Sequence, residues 1–432
     1  MNEVVLSAGD TAWVLASSAL VLLMTPGLAF FYGGMVRAKS ALNMMMMSMI
    51  TIGIVSILWV IYGFAVAFGS SADSPWYGSI SLSGLGSAVN DLTNNGGIYP
   101  IPLLAFAAFQ LMFAIITPAL ISGAIADRTK FVSWALFVTI WVSIVYFPVA
   151  HWVFAFGNKV GDKITGAGFL AARGVEDFAG GTAVHINAGA AGLALAIVLG
   201  KRIGWQRSPM RPHSLPLVLL GAGLLWFGWF GFNAGSALGA NGTAALALVN
   251  TQVATAAALI GWVATEKFRD GHPTSLGAAS GAVAGLVAIT PACAFVAPWA
   301  AVVIGLLAGI ICALAVGLKY RFGFDDALDV VGVHLVGGIV GCLLIGFFGS
   351  KAVNSVGIDG LFYGGGWTLL GKQALGVAVV AGYSFFVTLI LGFIIEKTIG
   401  FRVRVEDEQV GVDLSEHAES AYEMGGILKG GR

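Results

Sequence analysis

Two stretches of the sequence, HINAGAAG at residues 185–192 and HLVGGIVG at residues 334–341, indicate how the chain folds. Each begins with a histidine that is followed by glycines four and seven positions later. Both stretches lie inside apolar runs long enough to span a membrane. Because an ionisable ring in a membrane helix is costly, it usually faces the bundle interior or a cavity. His185 and His334 therefore predict a polar site inside a bundle of membrane helices.

The composition is that of a polytopic membrane protein. Of 432 residues, 58% are hydrophobic and 10% charged, and the formal net charge is zero, so nothing in the charge balance points to a nucleic-acid partner and we expect none. The 61 glycines predict closely packed helices, since small residues let backbones approach each other in lipid. Three cysteines within apolar runs, Cys293, Cys312 and Cys342, are neither a disulfide framework nor a metal site. We expect no cofactor and no metal ion.

Length and lack of charge predict eleven membrane spans. Prolines inside three of them are tolerated because neighbouring helices satisfy the freed backbone groups. The predicted spans are residues 11–32, 45–69, 101–125, 131–150, 178–200, 215–232, 243–264, 275–296, 298–318, 330–350 and 374–397.

Basic residues orient the chain. One set of loops together with the C-terminal tail contains seventeen Lys and Arg residues, and the opposite set contains five. By the positive-inside rule the N-terminus lies outside and the C-terminus in the cytoplasm of a cell (plasma) membrane protein. The N-terminus lacks the basic region of a cleavable signal, so the first run is read as a retained span. Residues 1–397 form the membrane domain, and 398–432 form a polar cytoplasmic tail.

The two histidine motifs fall on the fifth and tenth predicted spans. A duplicated unit of five helices enters the membrane in the opposite direction, and such inverted repeats hold their binding or conduction site near the midplane. The shared H-x-x-x-G-x-x-G pattern thus predicts repeats over about 11–200 and 215–350. The eleventh helix, about 374–397, lies outside the repeat.

Inverted symmetry would bring His185 and His334 together in the membrane. Burial disfavours the imidazolium form, so each ring is expected to be neutral, donating from one nitrogen and accepting on the other. Two alternatives remain open: each histidine makes a separate hydrogen bond between helices, or the two ligate a haem iron. One histidine per helix gives the haem alternative little support.

Acidic residues stand before both histidine helices. Asp177, eight residues before His185, is suited to cap exposed backbone donors, and a carboxylate at a pore mouth would also concentrate cations. For Asp325, Asp326 and Asp329, at the start of the tenth span, helix capping is the expected role.

Aromatic residues gather at the outer ends of three spans. The topology places the side chains of Phe109, Phe113, Phe154, Phe232 and Ser236 near one outer vestibule. Core packing is the ordinary role of each ring. However, stacked rings with a hydroxyl acceptor also suit a small cation.

Seven stretches in order along the chain resemble the ammonium transporter family (Amt/Mep/Rh), in its bacterial and archaeal Amt branch. The matching stretches are FFYGGMVR from residue 30, AFQLMFAIITPALISGAIADR from 108, DFAGGTAVHINAGAAG from 177, GWFGFNAGSA from 228, TPACAF from 290, DDALDVVGVHLVGGIVGC from 325 and HAESAY from 417. The resemblance implies eleven helices, two inverted halves and a homotrimer with one pore per subunit.

The resemblance also implies roles for individual residues. Phe113, Phe232 and Ser236 would recruit ammonium, and Phe109 with Phe113 would form the stacked gate. His185 and His334 would be the twin pore histidines, and Asp177 the structural acid near the recruitment site. Phe154 stands where well-known members carry a tryptophan, and phenylalanine attracts a cation more weakly through its face.

The resemblance implies transport of ammonium or ammonia and no enzymatic activity, with methylammonium as a further candidate substrate. Its mechanism would be recruitment outside, loss of a proton, and passage of ammonia along the histidine pair. An ammonium sensor of the same fold is the alternative. The tail resembles the family region linked to PII signalling proteins, which implies such a partner at the cytoplasmic face.

Overall fold

The structure is a computed structural model that describes residues 6–69, 74–89, 91–93, 100–160 and 163–422. It is an all-helical bundle with one small hairpin, which confirms the predicted class of all-α polytopic membrane protein. Eleven apolar helices, α1 to α11, make up the bundle in its described part. They are α1 (Ala8–Met35), α2 (Ala38–Phe68), α3 (Leu103–Ile125), α4 (Phe131–Phe154), α5 (Gly181–Leu199), α6 (Leu215–Gly235), α7 (Gly242–Asp270), α8 (Ser275–Ile289), α9 (Pro298–Phe322), α10 (Val331–Phe348) and α11 (Thr368–Thr398).

Ten of these helices in the described residues are long and apolar enough to cross a membrane. The exception is α8, whose 15 residues extend about 22 Å at 1.5 Å per residue, less than the roughly 30 Å of a hydrocarbon core. The predicted run 275–296 is longer than the helix, because Pro291 follows the end of α8 and a proline has no backbone N–H to continue the helical hydrogen bonds. The count of eleven crossings therefore stays a prediction.

Glycines bring several helix pairs into backbone contact. A Cβ atom on Gly221 of α6 would clash with the backbone of Phe31 in α1. In the same way, Cβ atoms on Gly305 and Gly309 of α9 would clash with backbone carbonyls of α7. These approaches agree with the packing expected from the glycine content, since lipid gives little apolar driving force for association and close van der Waals contact must hold the helices together.

Two smaller features flank the bundle. An antiparallel hairpin, β1 (Phe156–Val160) and β2 (Lys163–Ala167), connects α4 to α5. After α11 the chain forms two short helices, α12 (Val405–Val410) and α13 (Val412–His417). The remainder of the predicted tail, residues 423–432, lies outside the described residues.

The tail is attached to the bundle by buried carboxylates. Glu408 accepts a hydrogen bond from the backbone N–H of Ile203 (2.6 Å) and pairs with Arg402 (2.7 Å). Asp413 accepts from the backbone N–H groups of Leu42 (3.0 Å) and Asn43 (2.8 Å) at the start of α2. The connection between α5 and α6 and the beginning of α2 are thus tied to the tail.

Candidate functional site

The two histidine helices share an unusual beginning. Helix α5 opens with a π-helical segment, Gly181–Ile186, and α10 opens with another, Val331–Leu335. Each segment contains the histidine of its motif and continues into 13 residues of regular α-helix. Such wide turns are rare and occur frequently at functional sites. The two motifs therefore have the same local structure, as expected of repeats.

The carboxylate of Asp177 holds the start of α5. It accepts hydrogen bonds from the backbone N–H groups of Gly180 (2.7 Å), Gly181 (2.6 Å) and Thr182 (2.7 Å). It also accepts from the hydroxyl of Thr182 and, at 3.2 Å, from the N–H of Ala183. The first N–H groups of a helix have no partner within the helix, so the predicted cap at Asp177 is present in the structure.

Asp326 does the same for α10. Its carboxylate accepts from the N–H groups of Val330 (3.1 Å) and Val331 (2.7 Å), and burial raises its pKa to about 6. It precedes His334 by eight residues, the separation between Asp177 and His185. The shared pattern is thus an aspartate, a histidine and two glycines.

The neighbours of Asp326 do not act as caps, contrary to the expectation for all three aspartates. Asp325 forms a bidentate pair with Arg202, with its two carboxylate oxygens 2.9 and 2.8 Å from the guanidinium. Asp329 pairs with Lys319 (2.6 Å). The sequence places three carboxylates together, but only the path of neighbouring loops decides which of them meets a cation.

His185 and His334 meet although 149 residues separate them. Their Nδ1 atoms lie 3.3 Å apart, and their ring planes differ by 16°. Both side chains are buried, with exposed fractions of 1% and 3%. The two histidines therefore converge in the described fold, as expected. The alternative, in which each histidine makes a separate hydrogen bond between helices, does not describe this arrangement.

The geometry of the pair constrains its protons. A hydrogen bond between two Nδ1 atoms needs one ring to donate and the other to accept, and an imidazolium has no accepting nitrogen. At most one proton therefore lies between the rings. The 3.3 Å separation also leaves no room for an iron porphyrin between the two nitrogens, so the haem alternative has no geometric support.

A narrow cavity of about 10 Å³ lies beside the pair, close to the volume that one water-sized molecule needs. Apart from the histidines its walls are apolar or aromatic. The lining residues are Met24, Leu28, Ile116, Leu120, Val184, His185, Leu225, Trp229, Phe232, Val283 and His334. The Nε2 atom of His185 is buried and has no hydrogen-bond partner in the described part of the chain. Because His185 lines the cavity, this nitrogen is a candidate to contact a small molecule there.

Three of the expected aromatic residues form a continuous row of ring contacts that ends at the histidines. Phe109 contacts Phe113 edge to face (ring centroids 5.0 Å apart, 66° between the planes) and not in the stacked arrangement that was expected, and Phe113 contacts Phe232 (4.2 Å). Phe232 in turn lies 6.0 Å from His185. The hydroxyl of Ser236 donates to the carbonyl oxygen of Phe232 (2.8 Å). Four of the predicted site residues are thus linked in one series of contacts that reaches His185.

Phe154 belongs less clearly to this group. It is buried and lies beside Gly180, whose added Cβ atom would be 3.8 Å from the ring. In the part of the chain that the structure describes, no ring contact joins it to Phe113 or Phe232. Its part in a cation site therefore stays a prediction.

Sequence reasoning missed Trp229. Its indole ring lies 5.3 Å from the imidazole of His185, with 16° between the planes, and its exposed fraction is 1%. One signal was present: Trp229 precedes Phe232 by three residues, so both project from one face of α6.

A bundle of membrane helices around a buried pair of imidazoles and a narrow apolar cavity defines a channel or transporter for a small molecule. The chain belongs to the Ammonium Transporter Family, whose model matches residues 12–422.

Three proteins illustrate the similarity. An ammonium transporter of Mycobacterium tuberculosis (strain ATCC 25618 / H37Rv) is 56% identical over 434 residues, covering 96% of this chain and 90% of that protein. A solved structure described as a Sensor Amt Protein superposes with a TM-score of 0.84 at 30% identity, covering 95% of this chain and 98% of the other. Mep2 of Saccharomyces cerevisiae superposes with a TM-score of 0.84 at 32% identity, covering 98% and 93%.

Proposed function

We propose that this protein transports ammonium nitrogen across a membrane by conducting it as ammonia past His185 and His334. The observation that carries the proposal is the buried pair of imidazoles, with Nδ1 atoms 3.3 Å apart, beside a narrow apolar cavity. Membership of the ammonium transporter family supports the substrate. The proposed process is the passage of the substrate across the membrane, and it includes no enzymatic step.

The apolar cavity explains why the charge must be lost. Moving a bare cation into a low-dielectric medium nominally costs tens of kcal/mol. Ammonium avoids most of this cost by giving up a proton: with a pKa roughly two units above neutral pH, deprotonation costs only about 3 kcal/mol. Potassium has no proton to lose. Selectivity against potassium then needs no filter of carbonyl groups.

Recruitment is assigned to Phe113, Phe232 and Ser236, with Phe109 and Phe113 as the gate. The faces of the rings attract a cation, and the hydroxyl oxygen of Ser236, which donates to a backbone carbonyl, keeps lone pairs to accept an N–H of ammonium. Phe154 would contribute a weaker ring face than a tryptophan.

Asp177 supports recruitment indirectly. Its carboxylate already accepts from four backbone N–H groups and one hydroxyl, so we assign it the role of holding α5 rather than that of proton acceptor. The unpartnered Nε2 of His185 is the better candidate to contact the substrate in the pore.

Transport into proteoliposomes tests the proposal. Wild-type protein should carry ammonium and exclude potassium, and H185A and H334A should reduce ammonium flux or admit potassium. Ammonium-induced current would report whether a proton follows the ammonia. Sustained potassium flux through the wild type, or full activity and selectivity in both variants, would contradict the proposal.

A sensor of the same fold is the second candidate. The observation that favours it is the likeness to the Sensor Amt Protein, with a TM-score of 0.84. Methylammonium uptake by a cell line that lacks its own transporters separates the two: flux supports transport, whereas binding without flux supports sensing.

The proposal extends to assembly and orientation. Residues 1–397 would form the membrane domain as two inverted halves with α11 added, three copies would form a homotrimer with one pore each, and residues 398–432 would form a regulatory tail. The likeness in local structure between α5 and α10 supports the repeat. The tail would lie in the cytoplasm, with a PII-type protein as partner, and the N-terminus outside the plasma membrane. Native mass spectrometry and protease accessibility in oriented vesicles test these points.

A further inference from the structure

The ring of His185 has few polar restraints. Its Nδ1 atom contacts His334, and its Nε2 atom has no partner among the described residues. The ring is therefore oriented by its single contact to the second histidine and by the surfaces packed against it. One of these surfaces is the indole of Trp229, which lies nearly parallel to the imidazole, with 16° between the two ring planes.

Trp229 is itself held by a hydrogen bond outside the cavity. Its Nε1–H donates to Oγ1 of Thr290 (2.8 Å), and that hydroxyl donates to the carbonyl oxygen of Leu286 (2.7 Å). Thr290 is fully buried and is not among the residues that line the cavity. The hydroxyl therefore connects the indole to the end of α8 without touching the space beside the histidines.

We propose that Thr290 is a positioning residue for transport: its hydroxyl fixes the Trp229 indole, which keeps the His185 ring nearly parallel to the ring of His334. The inference rests on the proposed function. The physical reason is that a buried indole N–H without an acceptor carries a desolvation penalty. The indole would reduce this penalty by rotating toward another acceptor, and the surface behind His185 would then be lost.

The structure contains a matched control. Trp141 in α4 donates from Nε1 to Oγ1 of Thr388 in α11, also at 2.8 Å and also buried. Neither residue lines the cavity beside the histidines. Thr388→Val thus removes the same kind of hydrogen bond at the same kind of site, but leaves the surface behind His185 intact.

The test compares ammonium flux per folded protein in proteoliposomes for T290V, T290S and T388V. T290V should lower the rate about tenfold, equivalent to about 1.4 kcal/mol in the transport barrier. T290S keeps the acceptor and T388V lies elsewhere, so both should stay near the wild-type rate. T290V and T388V should lose similar thermal stability. If T290V does not fold, T290C replaces it, because a thiol is a weak acceptor and should give a smaller loss of rate in the same direction.

Each outcome decides the inference. Unchanged flux in T290V, or equal loss in T290V and T388V, overturns it, since the second result means that Thr290 matters only for stability. A structure of T290V in which the Trp229 and His185 planes remain parallel also overturns it. Absence of ammonium flux in the wild type, or full flux in H185A, would instead contradict the proposed function. In that case the structure of T290V still shows whether Thr290 positions the rings.

Discussion

Replacing Asp177 by asparagine separates its two possible roles, the cap of α5 and a charge that attracts cations. The asparagine oxygen can still accept from the N–H groups of Gly180 and Gly181, which both bond to Oδ1 in the wild type. Its NH₂ group, however, takes the place of Oδ2. There it faces the N–H donors of Thr182 and Ala183, and a donor cannot accept from them.

The expected cost follows from these contacts. Each buried N–H left without an acceptor costs about 1–3 kcal/mol, and loss of the negative charge at the helix start adds about 0.3–1 kcal/mol. The hydroxyl of Thr182 can rotate and is expected to add little. D177N should therefore lower the free energy of unfolding by roughly 2–7 kcal/mol, a large effect for one substitution.

The assay measures unfolding by SDS in mixed micelles together with the concentration dependence of ammonium flux. Glu176→Gln is the matched control, because it removes a neighbouring carboxylate while Gln can still accept from the N–H of Ile358, as Glu176 does. Burial raises the pKa of Glu176 to about 7, so the comparison is made at pH 8, where the carboxylate is charged. A cap predicts low stability for D177N alone. Similar rises in half-saturating ammonium for D177N and E176Q, with stability unchanged, would refute the cap as the main role.

Three further predictions concern regions away from the histidines. The pKa of Glu176 rises from 4.5 to about 7 on folding, so the folded state binds an extra proton between these pH values. Wild-type stability should therefore fall by up to about 3 kcal/mol as pH rises from 4.5 to 7. A series of SDS-unfolding measurements should show a flatter dependence on pH in E176Q, and equal slopes would contradict the assignment. G305A should separate α7 from α9 and lower the melting temperature in detergent. G382A, whose added Cβ has nothing within 4 Å, should leave the melting temperature unchanged or raise it slightly. Equal melting temperatures for the two variants would count against backbone contact between α7 and α9. E408A should release the tail and speed its proteolysis, while E406A at an exposed position of the same helix serves as control, and resistance equal to wild type would show that other contacts suffice.

Much of the fold was predictable because a membrane imposes a strict rule. Backbone N–H and C=O groups in lipid must be satisfied within the chain, so an uncharged apolar run of sufficient length has to be a helix. The same rule does not say where a helix ends when a proline follows. The predicted run extends to residue 296, whereas α8 stops at Ile289. The histidines were equally visible, since a titratable ring inside such a run has few explanations other than a buried site.

Local patterns and the family resemblance were enough to predict the class of protein, the two histidine helices and the aromatic residues near them. They could not predict which ring nitrogens of His185 and His334 meet, that Asp326 rather than Asp325 caps α10, or that Trp229 packs against His185. Each residue along a helix turns its side chain by about 100°. A single π-helical turn changes that rotation, so the contacts across the bundle depend on how whole helices pack and not on residues adjacent in the chain.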